Sequence, residues 1–94
     1  MKFSECNPAL FGLLSDKYPE GATNELVMDC PQCKQRFSIL VKFGGGKTAH
    51  PVWGLTVPSN DWDQATITPS IANHPVAKGP RMCHFSVING EIRP

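Results

Sequence analysis

Ninety-four residues with nine Lys or Arg against eight Asp or Glu carry a formal charge of +1, enough chain for one domain with a core but few enough residues to gain from a staple. The basic residues are scattered, which excludes the footprint of a nucleic-acid binder and a polybasic membrane patch. Nine prolines and eight glycines with sparse charge favour a turn-rich β protein over a helical one.

The N-terminus shows no basic segment followed by an apolar stretch, and no apolar run approaches membrane-spanning length. The expectation is a soluble, cytoplasmic chain whose thiols stay reduced. In chain order, Asn7 suits an N-cap and Pro8 the first helical position, and Leu10, Phe11, Leu13 and Leu14 follow. These predict one short N-terminal helix over 8–18, closed by the turn chemistry of "YPEGATN". Residues 1–22 then read as a helical addition to a core of 23–94, all within one zinc-binding domain. The pattern next changes to short β segments: "ELVMDC", "RFSILVKF", "VWGLTV", "ATITPSI" and "HFSVINGEI". Asn89-Gly90 is a strong hairpin signal, and "ANHPVAKGPR" reads as a loop. The fold class expected is β-rich α+β: a small antiparallel sheet with zinc-ribbon-like knuckles and one N-terminal helix.

"FGGGKTAH" imitates the end of a phosphate-binding loop through Gly46, Lys47 and Thr48. That motif needs a glycine five positions before Gly46, where Val41 stands, and a helix afterwards, where Pro51 and Trp53 arrive instead. The segment is a turn between two strands.

"DCPQCKQRF" has the form of a metal knuckle. Cys30 and Cys33 can place two thiolates on one ion while amides of the turn donate to the sulfurs. A redox pair would open a helix in a βαβ context, and here the flanks are strand-like. Cys83 is the natural third ligand. Cys6 and His84 compete for the fourth place against His50 and His74, and Cys6 has the further option of being a small buried apolar residue. Four protein ligands would make the site structural.

Cys83 and His84 are adjacent, and in a strand adjacent side chains point to opposite faces. If Cys83 meets the metal, His84 faces away and is free for other work. In "ATITPSI", alternation puts Thr66, Thr68 and Ser70 on one face, with Ala65, Ile67 and Pro69 on the other. Pro69 interrupts a ladder, so the segment is an edge strand or a strand end with Ser70 accessible. A serine hydroxyl becomes a nucleophile when a histidine takes its proton, and Asp61 and Asp63 are the carboxylates available to orient that histidine. The bland alternative is Ser70 as a turn residue bonding its own backbone.

"CPQC", a tryptophan-containing middle, "ATITPSI" and "CHFSVINGEI" together resemble the zinc-knuckle proteins of the domain-of-unknown-function 6527 family, over roughly residues 26–92. Members are common in phages and prophages, and some relatives sit beside bacterial ubiquitin-like conjugation systems as peptidases of such modifiers. The resemblance implies Ser70 as nucleophile, His84 as general base, and structural Zn2+ on Cys30, Cys33 and Cys83. Longer relatives carry more Cys and His after the last segment, so Cys6 is the expected replacement as fourth ligand. The implied partner is a protein substrate, such as the tail of a ubiquitin-like modifier. The competing expectation is an inert zinc-binding module that occupies a host protein through the N-terminal helix, Trp53 or Trp62. A zinc hydrolase with an open fourth position is a third option, disfavoured because three thiolates make the ion a weak Lewis acid.

Overall fold

The structure is a computed structural model that describes residues 1–13, 21–45, 52–73 and 83–93. It is built on one seven-stranded sheet whose spatial order follows the chain. The strands are β1 (Ala9–Gly12), β2 (Asn24–Asp29), β3 (Arg36–Phe43), β4 (Val52–Thr56), β5 (Thr66–Asn73), β6 (Cys83–Ile88) and β7 (Glu91–Arg93). Short 3-10 turns at Phe3–Cys6, Pro58–Asn60 and Trp62–Gln64 complete the regular structure.

Each β segment read from the sequence forms strand, the last of them as two strands, β6 and β7; alternating residues such as Leu26, Met28, Ile39, Val41, Phe85 and Val87 turn one face into the core. The Asn89-Gly90 turn joins β6 to β7. Both residues have positive φ, 49° and 76°, as a two-residue hairpin turn requires. A Cβ on Gly90 would overlap the backbone carbonyl of Asp63, and the Gly90 amide donates to the Ala65 carbonyl at 2.7 Å. Only glycine fits there.

Three expectations need correction. The helix over 8–18 does not form in its described part: Ala9–Gly12 is a strand paired with β2, Leu10 opposite Leu26. Asn7 is not an N-cap but the left-handed residue ending the first 3-10 turn, and its side chain donates to Asp29 Oδ2 at 2.8 Å. Pairing with a sheet edge outweighs the weak local preference of a four-residue segment for helix; residues 14–18 lie outside the described residues. Second, the sheet is not wholly antiparallel, since β3 and β4 run parallel with Leu40 opposite Val52. Alternation marks which face is buried but carries no information on strand direction. Third, β5 is not an edge strand: it lies between β4 and β6. Pro69 is accommodated at an irregularity where Ile67 opposes Val87 but Ile71 opposes Phe85, a bulge that removes the ladder bond proline cannot donate to.

The sheet is strongly curled. Lys2 bridges to Glu91 on the free side of β7, and Phe3 donates to the Gly90 carbonyl at 2.7 Å. Laid flat, the strands plus that segment would span roughly 33 Å. The chain from Lys2 to Ala9 reaches at most about 25 Å. The N-terminal turn therefore straps the two edges together, and it buries Phe3 and Cys6 in the core as it does so. Phe3 meets Trp62 edge-to-face at 5.5 Å. Gly46, Lys47 and Thr48 lie outside the described residues, as do His50, His74 and the 74–81 portion of the expected loop. Among the described residues, no helix is long and apolar enough to cross a membrane.

Candidate active site and metal site

The β2–β3 connection carries Cys30, Pro31, Gln32 and Cys33. Lys34 takes a positive φ of 66°; its amide donates to the Cys30 carbonyl at 2.9 Å, and the Cys30 amide donates to the Gln35 carbonyl at 2.8 Å. This tight turn directs the amides of Gln32 and Cys33 to Cys30 Sγ, each at 3.4 Å. Cys83, at the start of β6, joins them: the three sulfurs lie within 4.8 Å of one another, and all are free thiols. Three soft donors at this separation, with turn amides already donating to one of them, suit a metal ion.

Electrostatics separate the three thiols. Burial opposes ionisation of Cys30, but the amides of Cys33 and Gln32 and the neighbouring thiols outweigh it and hold its pKa below the usual value. Burial pushes the Cys83 thiol up to about 11, aided by its bonds to Cys30 and Cys33. Of these two thiols Cys30 is the easier to ionise and Cys83 the harder, and binding of a metal ion would draw the proton from either. Cys6, expected as the fourth ligand, is outside the trio. It is a buried core residue whose thiol is raised by burial, against a smaller opposing effect of Lys34.

On β6 the burial alternates, with Cys83, Phe85 and Val87 inward and His84 and Ile88 exposed. His84 thus leaves the metal group and meets β5, where its Nε2 is 2.9 Å from Ser70 Oγ. With the ring proton on Nδ1, the Ser70 hydroxyl donates to Nε2. At the bulge Pro69 is exposed rather than inward and Ser70 is half-buried; beyond it His84 lies opposite Ala72, and its ring reaches Ser70 two residues back.

Two further contacts hold the pair, and neither has a signature in the sequence. The Trp53 indole Nε1 donates to the Ser70 carbonyl at 3.2 Å. Gln32, from the middle of the cysteine turn, bonds the main chain of His84 twice: its Nε2 donates to the His84 carbonyl at 2.8 Å, and its Oε1 accepts from the His84 amide at 3.0 Å. Asp61 and Asp63 do not orient His84. Asp61 caps its own turn, accepting from the Asp63 amide at 2.9 Å, and Asp63 Oδ1 is buried without a partner. Among the described residues no carboxylate hydrogen-bonds His84.

No curated protein and no solved structure matches the chain. A family model described as bacterial ubiquitination-like system serine protease (BubE) matches residues 9–94, a stretch that takes in β1 through β7, the cysteine turn and the serine–histidine pair. The chain belongs to that family of serine proteases.

Proposed function

We propose that the protein is a small zinc-stabilised serine peptidase that cleaves an acyl bond in a ubiquitin-like modifier or another protein, with Ser70 as nucleophile and His84 as general base. The observation that carries this reading is the 2.9 Å approach of Ser70 Oγ to His84 Nε2, within the reach that a nucleophile and its base require. Ser70 Oγ attacks the carbonyl carbon as its proton passes to Nε2. The tetrahedral intermediate collapses when the imidazolium gives that proton to the leaving amine. His84 then draws a proton from water as the water oxygen attacks the acyl carbon, and the imidazolium returns that proton to Ser70 Oγ as it departs, regenerating the hydroxyl and releasing the acid. Backbone amides of the segment after Ser70 are the proposed oxyanion donors; of that segment, Ile71, Ala72 and Asn73 belong to β5 and residues 74–76 lie outside the described residues.

Zinc, held by Cys30, Cys33 and Cys83, supplies a fixed turn rather than chemistry, because three thiolates leave the ion weakly Lewis-acidic. The inert-module alternative loses its strongest surface features: Trp53 and Trp62 are half-buried against the core, and Ala9–Gly12 is a strand.

The test is covalent labelling by a fluorophosphonate probe, read by intact mass. One adduct mapping to Ser70 and absent from Ser70→Ala supports the assignment. A folded, zinc-loaded protein that takes up no probe would count against it.

A further inference from the structure

Strand β7 pairs with β6 only from Ser86 to Ile88, so at His84 the side of β6 away from β5 has no strand partner among the described residues. The Gln32 carboxamide takes that place. Its two hydrogen bonds to the His84 amide and carbonyl reproduce the pairing a neighbouring strand would give. They act on the main chain of the residue whose ring meets Ser70, and no carboxylate holds that ring among the described residues. Gln32 also stands between Cys30 and Cys33, and Cys83 immediately precedes His84. The cysteine group therefore sets the distance over which Gln32 reaches His84.

We propose that Gln32 is a positioning residue for the reaction: it fixes the main chain of His84 so that Nε2 stays in line with Ser70 Oγ, and it makes the cysteine turn part of the catalytic geometry. This rests on the serine-peptidase reading given above. A buried Asp on the imidazole, the usual orienter, acts on the ring itself; here the backbone is held instead. The role needs an amide, since only a side chain with both a donor and an acceptor can serve an N–H and a C=O at once.

The experiment compares the full chain reconstituted with zinc as wild type, Gln32→Met and Gln32→Glu. It reads the rate constant of fluorophosphonate labelling at Ser70, and amide hydrogen exchange at His84. Gln32→Met should lower the labelling rate roughly ten- to a hundredfold, the scale of a displaced catalytic group. Zinc content should stay as in wild type and the unfolding temperature should fall by only a few degrees, as expected for two exposed hydrogen bonds, while exchange of the His84 amide accelerates. On an ester substrate the loss should fall on kcat and leave KM in place. Gln32→Glu keeps an acceptor for the His84 amide but sets its other oxygen against the His84 carbonyl, so exchange protection and labelling rate should recover only in part relative to Gln32→Met. Wild-type labelling and wild-type exchange in Gln32→Met would overturn the proposal. A wild-type protein that does not label at Ser70 would instead overturn the peptidase reading, and His84 exchange in Gln32→Met would still decide whether Gln32 holds that backbone.

Discussion

Cys83 and His84 are neighbours in β6 yet face opposite sides of the sheet: Cys83 is buried within 4.8 Å of the Cys30 and Cys33 sulfurs, and His84 is exposed with Nε2 2.9 Å from Ser70 Oγ. One peptide bond separates the cysteine group from the serine–histidine pair. Strand geometry alone produces this division, since successive side chains in a strand leave on opposite faces. A mutation in one group should therefore leave the chemistry of the other intact while changing its placement.

Ser70→Ala and His84→Ala should each reduce probe labelling or peptide turnover by at least about a hundredfold, the range a general base contributes. Both variants should retain metal and unfold within a few degrees of wild type, since His84 is exposed and Ser70 half-buried. Metal analysis beside thermal melts checks this.

Cys30→Ser should have the opposite profile. Cys30 accepts two turn amides and lies within 4.8 Å of both other sulfurs, so its loss should abolish stoichiometric metal binding. It should also lower the unfolding temperature, on the order of 10 °C for the few kcal/mol that a closed metal turn supplies in a chain of this size. A chelator should bring wild type to the same melting point and leave Cys30→Ser unmoved.

Metal affinity should fall steeply as pH decreases. Metal binding needs thiolates, and Cys83 is held protonated up to about 11 when no ion is present, so each binding event releases protons. Competition titrations against a chelator at several pH values, corrected for the chelator, should show tighter binding at higher pH. A flat profile would mean that the thiols of Cys30, Cys33 and Cys83 are not the ligands.

Trp53→Phe keeps an aromatic ring but removes the donor to the Ser70 carbonyl. The expected cost is about 1 kcal/mol in stability, together with a several-fold fall in labelling rate. Urea unfolding and probe kinetics on the same samples separate the two effects.

Asp29 links Asn7 to Arg36 at the end of β2. The Asn7 amide and the Arg36 guanidinium hold its carboxyl below the ordinary value of 3.8. The stability it contributes is therefore present above pH 3.8 and is lost as pH falls through its lower folded value. Asp29→Asn should be less stable than wild type at neutral pH, and the two unfolding curves should converge in stronger acid.

The strands from 24 onward, the hairpin at Asn89-Gly90 and the opposite facing of Cys83 and His84 were all legible in the sequence by itself. Each depends on local physics: a period of two, a turn that requires positive φ, and the alternation of faces. The serine–histidine partnership was also within reach, although it came from a resemblance and not from spacing. Tertiary structure decided the rest. A strand edge turned Ala9–Gly12 from an expected helix into β1, because a short segment takes the state its partner stabilises. A parallel β3–β4 pair could not be read from alternation, which is the same in either direction. Pro69 sat in an internal strand because a bulge accepted it. Gln32 met His84 across 52 positions of chain, a contact that no local pattern encodes, since it exists only once the cysteine turn and β6 have been brought side by side.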